Sequence, residues 1–307
     1  MSGSYLDLAW PLRKDVRIRV VERPGRWMEP RALDAIVTDL RRIATAVVPN
    51  GPLDYGVLTG RRDALERAVI TLLYDKATDF PVAFNALALL DVSLRGRPTE
   101  VVHLGLVMVS PSLRSRGMSA VLYGLTCILL FARRQLRPVW ISNVTQVPAI
   151  VGMVAETFSN VYPRPDPDAR RSYDHLALAQ QIMCHHRSAF GVGEEAGFDA
   201  QRFVITNSYT GGSDHLKKTL GEAPKHRDAV YNDLCADLLD YDRGDDVLQI
   251  GEISLDTARS YLARALPRDT LPGVMLQLAL IAASGLVLPI VHWLTPSQQM
   301  GELRPWR

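Results

Sequence analysis

Charged and apolar side chains alternate through residues 15–21 (DVRIRVV) before a turn-prone Pro24-Gly25, which is the period of a half-buried strand. After Pro30, the apolar residues Leu33, Ile36, Val37, Leu40, Ile43, Ala44 and Val47 recur at three-four spacing, predicting a helix with one buried face and Pro30 in its first turn. Pro49-Asn50-Gly51-Pro52 cannot continue it. Three extended runs follow, 68–74 (AVITLLY), 82–94 (VAFNALALLDVSL) and 101–109 (VVHLGLVMV), and their hairpin-length gaps predict an antiparallel meander. Residues 113–119 (LRSRGMS) lead into an apolar helix at 120–131, closed by Arg133-Arg134. A short strand at 139–142 (VWIS) and a helix at 148–158 complete the order β-α-β-β-β-α-β-α.

Beyond Tyr162 the pattern loosens. A Pro-rich linker at 163–168 (PRPDPD) precedes a helix at 173–188, a strand at 202–208, a helix at 228–239, a strand at 247–253 and a helix at 256–266. No internal repeat is visible. The last apolar run, 273–294, reaches the length of about 20 residues that a bilayer requires, but Gln277, Pro289 and His292 interrupt it. It reads as a core or homodimer helix, as a helix in peripheral contact with a membrane, or as a span.

Composition narrows the class. With 307 residues, 47% apolar and 22% charged, the chain can build one large domain or two ordinary ones, and disorder is excluded. A net charge of +2 is too balanced for a protein whose whole surface binds nucleic acid, so no nucleic-acid partner is expected. Three cysteines without a CxxC pair fit a reducing compartment, and residues 1–15 show no secretory pattern, so the expected location is cytoplasmic, with membrane association left open. Cys184-His185-His186 lacks ligand spacing, and no metal is expected.

The most informative stretch is 104–119, LGLVMVSPSLRSRGMS, where a buried strand passes through an Arg- and Gly-bearing turn into a helix. Free N–H groups at a helix start, the helix dipole, a glycine that admits close approach, and Arg114 and Arg116 together make an anion cradle suited to a diphosphate.

Arg114-Ser115-Arg116-Gly117-Met118-Ser119 resembles the pyrophosphate loop of the GNAT superfamily of acyl-CoA-dependent N-acyltransferases, Gln/Arg-x-x-Gly-x-Gly/Ala, with Ser119 as a mild departure. Val109-Ser110-Pro111 and the element order over about residues 15–162 match as well. The resemblance implies an α/β fold, a mixed, mostly antiparallel sheet flanked by helices. Residues 1–162 would then be the donor-binding core, and 163–307 an enlarged helical portion completing the sheet and the acceptor cleft. It also implies acyl-CoA, or an acyl-phosphopantetheine carrier, as donor, gripped by Met108, Val109, Arg114, Ser115, Arg116, Gly117, Met118 and Ser119. The pantetheine arm would lie between strands 104–109 and 139–142, with a backbone N–H near Met108 facing the oxyanion.

For proton removal, His103 is the titratable side chain within the strand, with Glu100 just before it, and an unperturbed imidazole titrates near pH ~6.5. A lone strand histidine has a structural reading too. Asn143 and Thr145, after the next strand, either contact the pantetheine or acceptor or are turn residues. The family's acid-bearing Tyr position falls on Val154, leaving Tyr162, Tyr123 or solvent as substitutes. The excess apolar surface in the helices at 120–131 and 273–294 suggests a medium or long acyl chain, since each buried methylene contributes about 0.8 kcal/mol. The acceptor would be an amine of a small molecule or peptide. Arg13, Lys14, Arg17 and Arg19 either meet an acyl carrier protein or form a solvated strand face. An acetyltransferase for a small amine or protein lysine and a non-catalytic acyl-CoA sensor are the alternatives.

Overall fold

The computed structural model describes residues 5–48, 56–113, 118–211, 213–264 and 270–294. The strands are β1 (Asp7–Pro11), β2 (Val16–Glu22), β3 (Ala68–Asp75), β4 (Pro81–Leu94), β5 (Arg97–Val109), β6 (Val139–Thr145), β7 (Ser159–Tyr162), β8 (Gly197–Asp199), β9 (Val204–Thr206) and β10 (Asp246–Ile253). The α-helices are α1 (Pro24–Trp27), α2 (Pro30–Val47), α3 (Arg62–Glu66), α4 (Met118–Arg133), α5 (Pro148–Thr157), α6 (Tyr173–His185), α7 (Ala229–Leu238), α8 (Leu255–Arg264) and α9 (Leu271–Leu294). All ten strands join one sheet, ordered β1-β2-β3-β4-β5-β6-β10-β9-β8, with β7 also pairing β10. Every pairing is antiparallel except β5 with β6. The fold is therefore mixed α/β with a mostly antiparallel sheet flanked by helices.

The long meander follows the predicted runs because β3 and β4 are covered on both faces, which calls for near-continuous apolar sequence. Helix α2 lays Leu33, Ile36, Leu40 and Ile43 on one face, joining Ile70, Leu72 and Phe84. Helix α4 packs on the other with Val69, Leu73 and Leu87. Its all-round apolar character is explained by what lies behind it. Tyr261 of α8 presses so close that a Cβ on Gly124 would stand 1.8 Å from the ring, and α9 contributes Val274 and Ile281 to the same core. Within α4, Thr126 bonds Thr71 Oγ1 at 2.6 Å and the Leu122 carbonyl at 2.8 Å, and Asn85 Nδ2 donates to that carbonyl too.

Several expectations change. β1, with its strand-ending Pro11, was not anticipated, nor were α1, α3, β7 and β8. Arg23, at left-handed φ, turns the chain from β2 into α1. The strand expected at 202–208 shortens to Val204–Thr206, and α6 ends at His185 before a 3₁₀ turn, Arg187–Phe190. Strand β6 runs on to Thr145, because β10 pairs its whole length from Val139 to Thr145. Asn143 and Thr145 are therefore strand residues and not turn residues.

The sequence beyond residue 162 enters the same sheet. β10 lies directly against β6, and α6 packs over β4 and β10 through Leu178, Ile182, Leu90, Leu248 and Ile250. On α9, Val274, Gln277 and Ile281 are buried while Met275, Leu276 and Leu280 face outward. Among the described residues no helix is long and apolar enough to cross a membrane.

Candidate active site

The site starts where β5 and β6 part. Their parallel ladder holds three pairs, Val101 with Trp140, Val102 with Ile141 and His103 with Ser142, and ends there. From Leu106 to Val109, β5 remains paired to β4, but beyond His103 it has no partner on its β6 side among the described residues. A bulge accompanies the parting. Ala86 pairs Leu106 and Ala88 pairs His103, so β5 carries one extra residue at Leu104-Gly105. Only glycine fits, since a Cβ at position 105 would lie 2.4 Å from the Ala86 carbonyl oxygen.

Strand alternation settles which amides face the opening. Ser110 N–H donates to the Val82 carbonyl on β4, so in the antiparallel ladder Met108, two residues back and opposite Phe84, also points its N–H at β4. Val107 and Val109 turn their N–H groups to the open side. Met108, named as a donor-binding and catalytic residue from sequence, therefore turns its own amide away from the open edge, and its side chain is buried with α2. Val107 was missed in sequence because alternation counts from a pairing register that no local pattern states.

At the end of β5 a 3₁₀ turn, Pro111–Leu113, leads toward the first turn of α4, where Met118 is buried. Arg114, Ser115, Arg116 and Gly117 lie outside the described residues, as does the side chain of Ser119.

A cavity of about 760 Å³ opens on the face of the sheet away from α4. One lateral row of paired residues, Ala68, Ala88, His103 and Ser142, crosses four strands beneath it. Ala86, Leu106, Val57 and Phe190 make much of its wall apolar, and Arg61, Asp63, Glu66 and Arg67 stand among its polar residues. Arg61 grips Asp63 with two hydrogen bonds.

His103 lines this cavity, with Nδ1 3.0 Å from Ser142 Oγ and its ring stacked on Phe190 at a centroid distance of 4.7 Å. It is 2% exposed, and burial pushes its pKa down from 6.5 to about 3. The expected poise near neutrality is corrected: desolvation with no compensating negative charge keeps this imidazole neutral. Glu100 is committed elsewhere, bonded to both Arg23 and Arg134.

Asn143 Nδ2 donates to Gln249 Oε1 at 3.2 Å across the β6–β10 pair, and Gln249 in turn reaches the Val151 and Pro163 carbonyls. Asn143 and His103 are therefore not brought together. Thr145 Oγ1 accepts from Val147 N–H. Val154 is fully buried in the core. Tyr123 donates to the Gly105 carbonyl at the bulge, at 2.6 Å, while Tyr162 packs its ring edge-on against Phe203. Gln146, just past β6, was also missed: it is 2% exposed, its Nε2 donates to the Leu216 carbonyl, and its Oε1 has no hydrogen-bond partner among the described residues. Leaving such an oxygen unpaired costs about 1–3 kcal/mol.

Of the N-terminal basic residues, Arg17 pairs with Asp79 and Arg19 with Asp7. His186 Nε2 bonds the Asp91 carbonyl, and no cluster suited to a metal occurs among the described residues.

A meander whose bulged strand meets the next strand in parallel and then leaves it, with α2 on one face and α4 and α5 on the other, agrees with the mixed, mostly antiparallel fold that the sequence led us to expect. No protein-family profile and no curated protein matches the chain. Solved structures with similar folds include an acetyltransferase from Trypanosoma brucei, at 19% identity over 36% of this chain and 70% of that one, with a TM-score of 0.24. A GNAT-family acetyltransferase from Desulfovibrio desulfuricans shares 10% identity over 47% of this chain and 85% of that one, with a TM-score of 0.32. A conserved Enterococcus faecalis protein, named as a probable N-acyltransferase, shares 9% identity over 78% and 65%, with a TM-score of 0.34. Values this low say nothing about what this chain acts on.

Proposed function

We propose that the protein is an N-acyltransferase that moves a medium- or long-chain acyl group from acyl-CoA, or an acyl-phosphopantetheine carrier, to an amine by direct attack on the thioester. The observation that carries this reading is the parting of β5 from β6 at His103 and Ser142, which among the described residues leaves the far edge of residues 104–109 unpaired, a few positions before the Arg114-to-Ser119 motif in the sequence. An extended amide-bearing arm can pair with such an edge as a strand would. Gln146 Oε1 offers a further acceptor to ligand N–H groups beside β6.

The amine arrives neutral from the cavity and its lone pair attacks the thioester carbon. The carbonyl oxygen becomes an oxyanion, for which the N–H groups of Val107 and Val109 are the available backbone donors. The C–S bond then breaks and the thiolate leaves with its electron pair. His103 is too weakly basic to hold the amine's proton, so that proton passes to water in the cavity, and a proton from water neutralises the thiolate. Val57, Ala86, Leu106 and Phe190 form the apolar part of the cavity wall, which would favour a chain of methylenes over acetyl. At about 0.8 kcal/mol each, every methylene that reaches it tightens binding roughly fourfold.

Calorimetric titration with acetyl-CoA and lauroyl-CoA, followed by thiol release in the presence of amines, tests this. Lauroyl-CoA is expected to bind at least tenfold more tightly and to release thiol only when an amine is present. Equal binding would remove the chain-length claim, and no amine-dependent release would remove the transferase claim. Gly117→Glu is expected to abolish donor binding while thermal unfolding stays unchanged.

A further inference from the structure

We propose that Ser142 holds His103 as the Nε2–H tautomer, so that this imidazole donates a hydrogen bond into the cavity and reads an oxygen carried by the acceptor beside its amine. The acceptor's identity as a substrate rests on the acyl-transfer reading above; the tautomer does not. Ser142 is fully buried, and among the described residues its hydroxyl is bonded to His103 Nδ1 alone. If Nδ1–H donated to Oγ, the hydroxyl proton would be left without an acceptor at a cost of about 1–3 kcal/mol. The pair is satisfied when the hydroxyl donates to Nδ1, and the ring proton then sits on Nε2.

The ring's setting makes this donor usable. Phe190 stacks on its face at an interplanar angle of 27°, and the ring forms part of the cavity wall. In the same row Ala68 and Ala88 are small, so the floor beside the imidazole is open. Burial keeps the ring neutral, so the N–H persists through the physiological pH range.

A second group points to the same ligand. Arg67 lines the cavity next to Ala68, is exposed there and makes no ion pair among the described residues, whereas Arg61 is matched by Asp63, and Glu66 on the same wall lies 3.9 Å from Arg62, which stands outside the cavity lining. A neutral donor at the floor and a leftover cation suit an amine accompanied by a carboxylate. The acceptor class is an amino acid, and a simple alkylamine lacks the oxygen that both groups would bind.

Two measurements decide it. Long-range ¹⁵N–¹H correlation on the full chain, which needs no turnover, should show a pyrrole-type Nε2 and a pyridine-type Nδ1 at His103. That pattern should survive Ser142→Thr and collapse in Ser142→Ala; a protonated Nδ1 in the wild type overturns the proposal. Acyl transfer to leucine is then compared with transfer to 3-methylbutylamine, the same amine without its carboxylate. The wild type should favour leucine by tenfold or more in kcat/KM, the ratio expected for one lost hydrogen bond to a site built for it. His103→Gln keeps an N–H donor but cannot act as a base, and should retain most of that preference, while His103→Ala should lower the ratio about tenfold and leave only what Arg67 supplies. Equal loss with both acceptors in both variants would mark a base and overturn the proposal. A wild type that acylates no amine would defeat the transferase reading, and the tautomer measurement would still decide the role of the ring.

Discussion

Gly105→Ala perturbs the site through one methyl group. The new Cβ would stand 2.4 Å from the Ala86 carbonyl oxygen, a backbone atom with no rotamer to yield. Bringing that contact to about 3 Å requires β4 and β5 to separate by more than half an ångström, or the extra residue of the bulge to flatten. Overpacking of this kind costs about 1–3 kcal/mol, which for a chain of this size lowers Tm by roughly 2–10 °C. The same displacement moves the Gly105 carbonyl that Tyr123 of α4 is bonded to, so α4 and the open edge of β5 lose their common reference. Donor affinity should therefore fall together with stability. Differential scanning calorimetry and titration with acyl-CoA measure the two effects. Gly221→Ala is the control, since nothing comes closer than 3.9 Å to its Cβ. If Gly105→Ala matched that control in both Tm and affinity, the bulge would not be what holds the strands apart.

Asp246 is buried beside Ser208 and Tyr209, and desolvation raises its pKa to about 6 despite their hydrogen bonds. A carboxyl whose folded pKa exceeds its unfolded value near 3.8 adds stability that is complete below pH ~4 and lost as pH rises through 6, at most about 3 kcal/mol in total. Asp246→Asn should remove that slope between pH 4 and 7, as read by urea unfolding at several pH values; parallel slopes in the two proteins would refute it. Glu100→Ala strips Arg23, 8% exposed, of its carboxylate partner and should cost about 3 kcal/mol, with Glu100→Gln recovering part of the loss in the same assay. Thr126→Val deletes the hydroxyl shared by Thr71 and Asn85 without changing volume much, and should destabilise by about 1–3 kcal/mol. Neutral unfolding data would mean that this buried cluster is not needed to seat α4 on the sheet.

Local pattern was sufficient for most elements. The three-four spacing after Pro30, the apolar runs of the meander and the helices of the second half are properties of neighbouring residues, and α2, β3, β4, β5, α4 and β10 lie where those patterns place them within a few positions. β1 escaped because five residues ending in Pro make a weak strand signal, and its order comes from pairing with β2. The motif at Arg114 to Ser119 could be proposed from sequence because an anion cradle is built from consecutive residues, and Arg114 to Gly117 lie outside the described residues.

The rest of the site was decided by residues far apart in the chain. Where β5 leaves β6, and which amides of β5 face the opening, depend on the register with β4 and on the bulge at Gly105. The sequence alone allowed His103 to be read as a base because an isolated imidazole titrates near neutrality; Phe190 and Ser142, brought to it by folding, desolvate the ring and occupy one nitrogen. Composition and periodicity determine what each segment can bury. Only the assembled sheet determines which polar groups are left without water, and that shortage of partners gives the cavity its chemistry.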